Sequence, residues 1–201
     1  MAWARVSQAY INQKFAPVVL AKIKDRVKKV AQKEVEWANA ELVRKYMKSA
    51  ITKELLAGPK ATNRSGTLGK GNLYSFLGLE SSSDVEALAT LLSESIKISL
   101  ISKNNRNFSV SVRIRIPEKK DYEGLGTLPW VNKNFIDAIE EGISGLGNYL
   151  YSKKGFSGSR SGTAIQVEKS VSQQAMGPNQ YLSQMIEEVS EKLMERISKK
   201  M

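Results

Sequence analysis

The sequence predicts an α+β fold: a long N-terminal helix, a small antiparallel or mixed β-sheet with a packed helix, and a C-terminal amphipathic helix. Three observations predict it. Between Pro17 and Leu56 no Gly or Pro interrupts an apolar stripe of helical spacing. Between Ile96 and Ile116 apolar and polar residues alternate, as in a hairpin with one buried face. From Asn179 to Lys199 the helical spacing returns, with apolar residues on one side.

Taken in order, Met1 to Phe15 reads as a short helical lead-in, stopped at Ala16 because a residue before proline is pushed away from the α region. Pro17 suits a first helical turn. Leu20, Ile23, Val27, Val30, Ala31, Val35, Ala38, Leu42 and Tyr46 then form one stripe, which Gly58-Pro59 ends. A helix of that length would span about 60 Å, more than the diameter of a small domain. It must either bend back on itself or project to meet another chain. Gly58 to Gly71 combines Gly58, Pro59, Gly66, Gly69 and Gly71 with Lys60, Arg64 and Lys70, which predicts a flexible basic loop.

Asn72 to Leu79 is ordered again through Leu73, Tyr74, Phe76 and Leu77, and Ser83-Asp84 can cap a short helix over Val85 to Leu92. Ile96, Ile98 and Leu100, then Phe108, Val110, Val112, Ile114 and Ile116, predict two paired strands around Asn104-Asn105-Arg106-Asn107, with Arg113 and Arg115 on the exposed face. Pro117 to Leu128 reads as a charged loop. Trp130 to Ile143 reads as a helix with Phe135, Ile136, Ile139 and Ile143 inward. Tyr149 to Tyr151 and Thr163 to Glu168 read as a third and fourth strand around a second Gly/Ser basic loop, Lys153 to Gly162. The closing helix turns Leu182, Met185, Ile186, Val189, Leu193 and Ile197 to one side. The chain thus divides into a long helical element (1–57), a basic Gly-rich loop (58–71), an α+β core (72–177) and a C-terminal helix (178–201).

At 201 residues the chain holds one full domain, or one small domain plus extended elements, and its 41% hydrophobic and 25% charged residues predict an ordered protein. No apolar run reaches membrane-spanning length and Met1 to Gln13 is no signal peptide, so a soluble protein without a secretion signal and without a membrane partner is expected. Cysteine and histidine are both absent. This excludes disulfides, thiolate nucleophiles, Ser-His and Cys-His dyads, and the Zn and Fe–S sites built on those ligands. Carboxylate, lysine, tyrosine or Mg-type chemistry survives, but no constellation for it is present. Neither an enzyme nor a cofactor is expected.

The net charge is +11, distributed as +7 over residues 1–57, +5 over 58–120, −1 over 121–177 and 0 over 178–201. A basic first 120 residues attracts nucleic acid, membrane headgroups or acidic protein faces. Gly66-Thr67-Leu68-Gly69-Lys70-Gly71 has the ingredients of a phosphate loop, but its spacing fails and no Ser or Thr follows the lysine. Glu140-Glu141 and Glu187-Glu188 are adjacent pairs, about 100° apart on a helix, and read as solvated faces. The basic helix, extended by Arg64, Lys70, Arg113 and Arg115, suits sequence-independent contact with phosphates. With 7% aromatic residues and no helix-turn-helix or RNP pattern, base reading is not expected.

Two loops share a pattern, Asn63-Arg64-Ser65-Gly66-Thr67 and Ser159-Arg160-Ser161-Gly162-Thr163. Each offers an arginine, hydroxyl donors and a glycine free to take positive φ, which suits a loop that orders against a partner. Arg160, through its planar guanidinium, is the residue suited to grip an acidic neighbour. Trp130, with Pro129 fixing its approach, reads as an anchor at the start of a helix.

Leu128-Pro129-Trp130, a helix ending Glu141-Gly142, Tyr149 and Tyr151, and then Ser159-Arg160-Ser161-Gly162-Thr163-Ala164 together resemble the recurring pattern of neck proteins of contractile-tailed bacteriophages. Arg64-Ser65-Gly66-Thr67-Leu68 with Tyr74-Ser75-Phe76-Leu77 is faintly similar to the Thr-Gly-x-Leu stretch of small tail-completion proteins. The stronger part covers about residues 128–165; the lysine-rich first helix departs from the pattern. The resemblance implies a structural virion protein, assembled in the host cytoplasm, that forms a homo-oligomeric ring between portal and tail. Its implied partners are itself, portal or adaptor proteins, and tail terminator or tail tube proteins, with non-specific contact to packaged DNA. The interface residues expected on these grounds are Pro129, Trp130, Arg160, Ser161, Gly162, Arg64 and Lys70. The alternative is a non-specific nucleic-acid-binding protein using the basic N-terminal half.

Overall fold

Helix α1 (Ala16–Lys48) is the spine of the computed structural model, which describes residues 15–68, 71–104, 107–128, 133–143, 149–151, 164–166 and 176–200. Pro17 sits in its first turn, where the missing N–H has no intrahelical partner to lose. At 1.5 Å a residue α1 is about 50 Å long. From Ala31 onward its stripe is core: Ala31, Val35, Ala38, Leu42 and Tyr46 are all buried.

The expected single helix to Leu56 is broken at Ser49, whose ψ of 139° is extended. Its N–H still bonds the carbonyls of Lys45 and Tyr46, and the chain then re-enters a helix as α2 (Ala50–Ala57). Serine competes for backbone bonds and tolerates such a break better than the straight-chain residues around it. The consequence is packing. Unbroken, the rod would carry Leu55 about 20 Å past Leu42 along one axis. The break brings Ile51 and Leu55 into the same core as Leu42 and Tyr46.

Next come α3 (Leu73–Leu77) and α4 (Ser83–Leu92), both packed on the preceding helices. Asn72 caps α3 by accepting from the N–H of Ser75 at 2.8 Å. Tyr46 donates its hydroxyl to the Val85 carbonyl at 2.8 Å, and the Asn39 side chain bonds Ile96, so α4 runs antiparallel to α1.

Strands β1 (Lys97–Asn104) and β2 (Ser109–Arg115) form the expected antiparallel hairpin, laid on α1. One expectation fails there. The register shifts between Ile98 and Leu100, so Ile98 faces Ile114 and Ile101 faces Val112, while Leu100 pairs with Arg113 on the exposed face. A bulge turns the side chains that follow it to the other face, and strict alternation cannot show it.

Helix α5 (Phe135–Glu141) begins five residues later than Trp130, at an Asn134 side chain that accepts from the Asp137 N–H at 2.7 Å. The expected start at Trp130 lies outside the described residues. The end of α5 at Gly142 matches the expectation, and the position demands glycine: φ is +77°, and a Cβ would lie 2.4 Å from the Met176 carbonyl oxygen. Strands β3 (Tyr149–Tyr151) and β4 (Ala164–Gln166) pair antiparallel, as a second two-stranded sheet.

Helix α6 (Leu182–Lys200) closes the core with Leu182, Val189, Leu193 and Ile197. Glu188 pairs with Lys45 near its start, and Arg196 and Lys200 pair with Glu34 near its end. These pairs make α6 antiparallel to α1. The fold is α+β. Among the described residues no helix is long and apolar enough to cross a membrane.

Candidate functional site

The first half of α1 is built differently from the second. Phe15, Val18, Lys22, Arg26, Lys29 and Lys33 follow one another at spacings of three or four, so they lie along one line of the helix, and all are exposed. Phe15 is 57% exposed, Val18 61%, and the neighbouring Val19 and Ile23 46% and 40%. None of Lys22, Arg26, Lys29 and Lys33 is engaged in an ion pair among the described residues. Over residues 15–33 six basic residues stand against Asp25 alone, a net +5. This is an apolar end running into a cationic stripe, outside the core.

Arg64 sits in a loop that is pinned where flexibility was expected. Buried Glu54 of α2 accepts the Ser65 N–H at 2.8 Å and the Leu73 N–H at 2.6 Å, so one carboxylate holds both sides of the excursion. Ser65 and Thr67 share a hydroxyl contact at 2.7 Å, and Asn63 donates to the Leu68 carbonyl. Gly66 takes the positive φ, +65°, that its place in the repeated pattern called for. Leu68 is buried in the core, whereas Arg64 is exposed. The loop thus presents one arginine on a fixed base.

No protein-family model, curated protein or solved structure matches this chain. What it can do rests on its own surfaces. Of the expected interface residues, Arg64 alone falls within the described residues; Lys70, Pro129, Trp130, Arg160, Ser161 and Gly162 lie outside them. The residues flanking Pro129 and Trp130 are joined by the Leu128 N–H to Lys133 carbonyl bond at 2.8 Å and the Phe135 N–H to Gly126 carbonyl bond at 3.1 Å.

Two clefts remain. One, of about 390 Å³, lies at the Ser49 break between the end of α1 and the start of α6. Of its cations, Arg44 is neutralised by Glu41 and Lys45 by Glu188, which leaves Lys48. The other, of about 300 Å³, is largely apolar, between Ile116, Tyr122, Ile136, Leu182 and Ile186. At its rim Glu140 accepts the Ser183 N–H at 2.7 Å and its hydroxyl at 2.6 Å, the geometry of a carboxylate capping the first turn of α6. Among the described residues no group of three or more carboxylates could hold a metal ion.

Sequence reasoning passed over the two buried carboxylates. Glu34 is three residues from Ala31 and four from Ala38, so the helical wheel already places it on the stripe. Glu54 sits among Ile51, Leu55 and Leu56 in α2. Glu34 takes Arg196 at 2.6 Å together with Lys200, and Arg196 also lies 4.0 Å over the Trp37 ring. Glu54 instead satisfies backbone N–H groups.

Proposed function

We propose that the chain is a structural subunit that works by fitting against copies of itself and against other proteins, as a ring in the neck between portal and tail of a contractile-tailed virion. The observation that supports this best is the exposed first half of α1. A helix that puts Phe15, Val18, Val19 and Ile23 in solvent beside an unpaired cationic stripe has more surface than its own core uses. The Arg64 loop, held by Glu54, is a second projecting contact. The resemblance of the Leu128-Pro129-Trp130 and Ser159 to Ala164 pattern to neck proteins is what supports a place in the virion. On this reading the chain has no catalytic role, and portal or adaptor and tail proteins are its neighbours.

The test is native mass measurement of the full chain alone and mixed with a portal ring. A closed oligomer that binds the portal is expected; a chain that stays monomeric at all concentrations and ignores the portal overturns the reading.

The same stripe favours a second reading, sequence-independent binding of nucleic acid through Lys22, Arg26, Lys29 and Lys33. Four neutralised phosphates would make log K fall with log salt at a slope of about −3 to −4 on duplex DNA. A salt-insensitive or absent complex removes it.

A further inference from the structure

The segment totals of charge conceal a second, opposite surface. Residues 71–96 contain Glu80, Asp84, Glu86 and Glu94 and no basic residue, a net −4 inside a stretch whose total is positive. On α4, Glu86 and Thr90 lie one turn apart on the outer face, and the turn after the helix adds Glu94; all three are exposed, and Leu91, itself 45% exposed, borders them on one side. Neither Glu86 nor Glu94 is paired among the described residues. An exposed leucine beside two unpaired carboxylates mirrors the exposed valines beside unpaired cations on α1.

We propose that these two surfaces are partners: the Phe15–Lys33 stripe of one copy docks on the Glu86–Leu91–Glu94 face of the next. Three facts carry it. The charges are opposite, and each surface has an apolar residue to bury beside them, Val18 and Ile23 on one and Leu91 on the other. The spacing is comparable, because Glu86 lies in the first turn of α4 and Glu94 just past its end at Leu92, while seven residues, about 10 Å, separate Lys22 from Lys29 and Arg26 from Lys33. The Phe15 to Arg26 part of the stripe lies out of reach of that face within one chain. Helix α4 lies alongside the Asn39 to Tyr46 part of α1, and Arg26 is 13 residues, about 20 Å, further down the same rigid helix.

Two different patches displaced along one axis make a head-to-tail contact, which closes into a ring if the rotation allows and otherwise grows as a filament. The inference deepens the subunit reading and rests on it for closure. Within the contact, the ion pairs set register and exclude wrong partners, and the apolar residues hold it when salt screens the charges.

The test uses charge reversal in the full chain, followed by sedimentation velocity. One variant carries Glu86→Lys with Glu94→Lys; the other carries Lys22→Glu, Arg26→Glu and Lys29→Glu. All five sites are exposed, and unchanged circular dichroism and thermal midpoint verify the fold. Each variant alone is expected to lose self-association by about tenfold or more, since like charges then face each other. Mixing the two restores it, because every contact between unlike variants is again complementary. If the native chain associates but both variants are silent, or mixing restores nothing, this contact is wrong while the subunit reading stands. If the native chain never associates, both fall. If the Lys22→Glu, Arg26→Glu, Lys29→Glu variant loses only binding to duplex DNA or to vesicles of anionic lipid, the stripe serves phosphates and the inference is overturned.

Discussion

The side-chain amide of Asn39 donates to the carbonyl of Ile96 at 3.0 Å and accepts from the N–H of the same residue at 2.9 Å. Both groups are buried, and together they dock the start of β1 against the middle of α1. A strand enters here with its backbone partly unpaired, and one amide supplies both missing partners.

Asn39→Ala should therefore destabilise the fold by about 1–3 kcal/mol for each backbone group left unpaired. Denaturant unfolding measures it. A loss below about 0.5 kcal/mol would mean that water replaces the amide at no cost.

Glu54→Ala removes the acceptor of the Ser65 and Leu73 N–H groups. Hydrogen exchange at those two amides should accelerate well beyond that at the Leu88 amide within α4, and proteolysis should open the 58–71 connection first. Glu54→Gln, which keeps an acceptor oxygen, should fall between. Uniform protection in all three proteins would assign the loop's order to Leu68 packing alone.

Acid should loosen the end of α6 in a defined window. The Lys200 ammonium, and after it the Arg196 guanidinium, hold the Glu34 carboxyl below its ordinary 4.5 against the opposing effect of burial. A depressed carboxylate stabilises fully above its unfolded value and loses that stability as pH falls through the folded one. The thermal midpoint should drop as pH falls below 4.5, and the difference from Glu34→Gln should shrink over the same range. A constant difference at every pH would disprove the linkage.

Alkali acts in the opposite sense on three tyrosines. Burial pushes Tyr122 up to about 12 and raises Tyr46 and Tyr181 well above the ordinary 10. Raised acids contribute stability below the unfolded value and lose it as pH rises past it. Ultraviolet difference titration should find that Tyr46, Tyr122 and Tyr181 ionise only with unfolding. Full ionisation near pH 10 in the folded chain would contradict their burial.

Periodicity made the elements legible. The α1 stripe, the α6 stripe from Leu182 to Ile197 and the hairpin alternation each repeat over enough residues to show through local composition. Exclusions were equally plain, since a chain without Cys or His cannot build sites that need them. Of the candidate surface, the cationic line at Lys22, Arg26, Lys29 and Lys33 was present in the sequence as an excess but not as a face.

What only tertiary structure decided is where long-range contacts outweigh local preference. Serine permits a break at 49 but does not require one; the helix breaks there because Ile51 and Leu55 gain a core. Nothing in Ile96, Ile98 and Leu100 announces a bulge, which exists because Ile101 must face Val112. The basic Gly-rich loop looked free because its composition is free, and Glu54, reaching from another element, holds it. Local sequence sets what each segment can become, whereas burial and hydrogen bonds between distant residues choose among those forms, because their free energy exists only once the chain has folded.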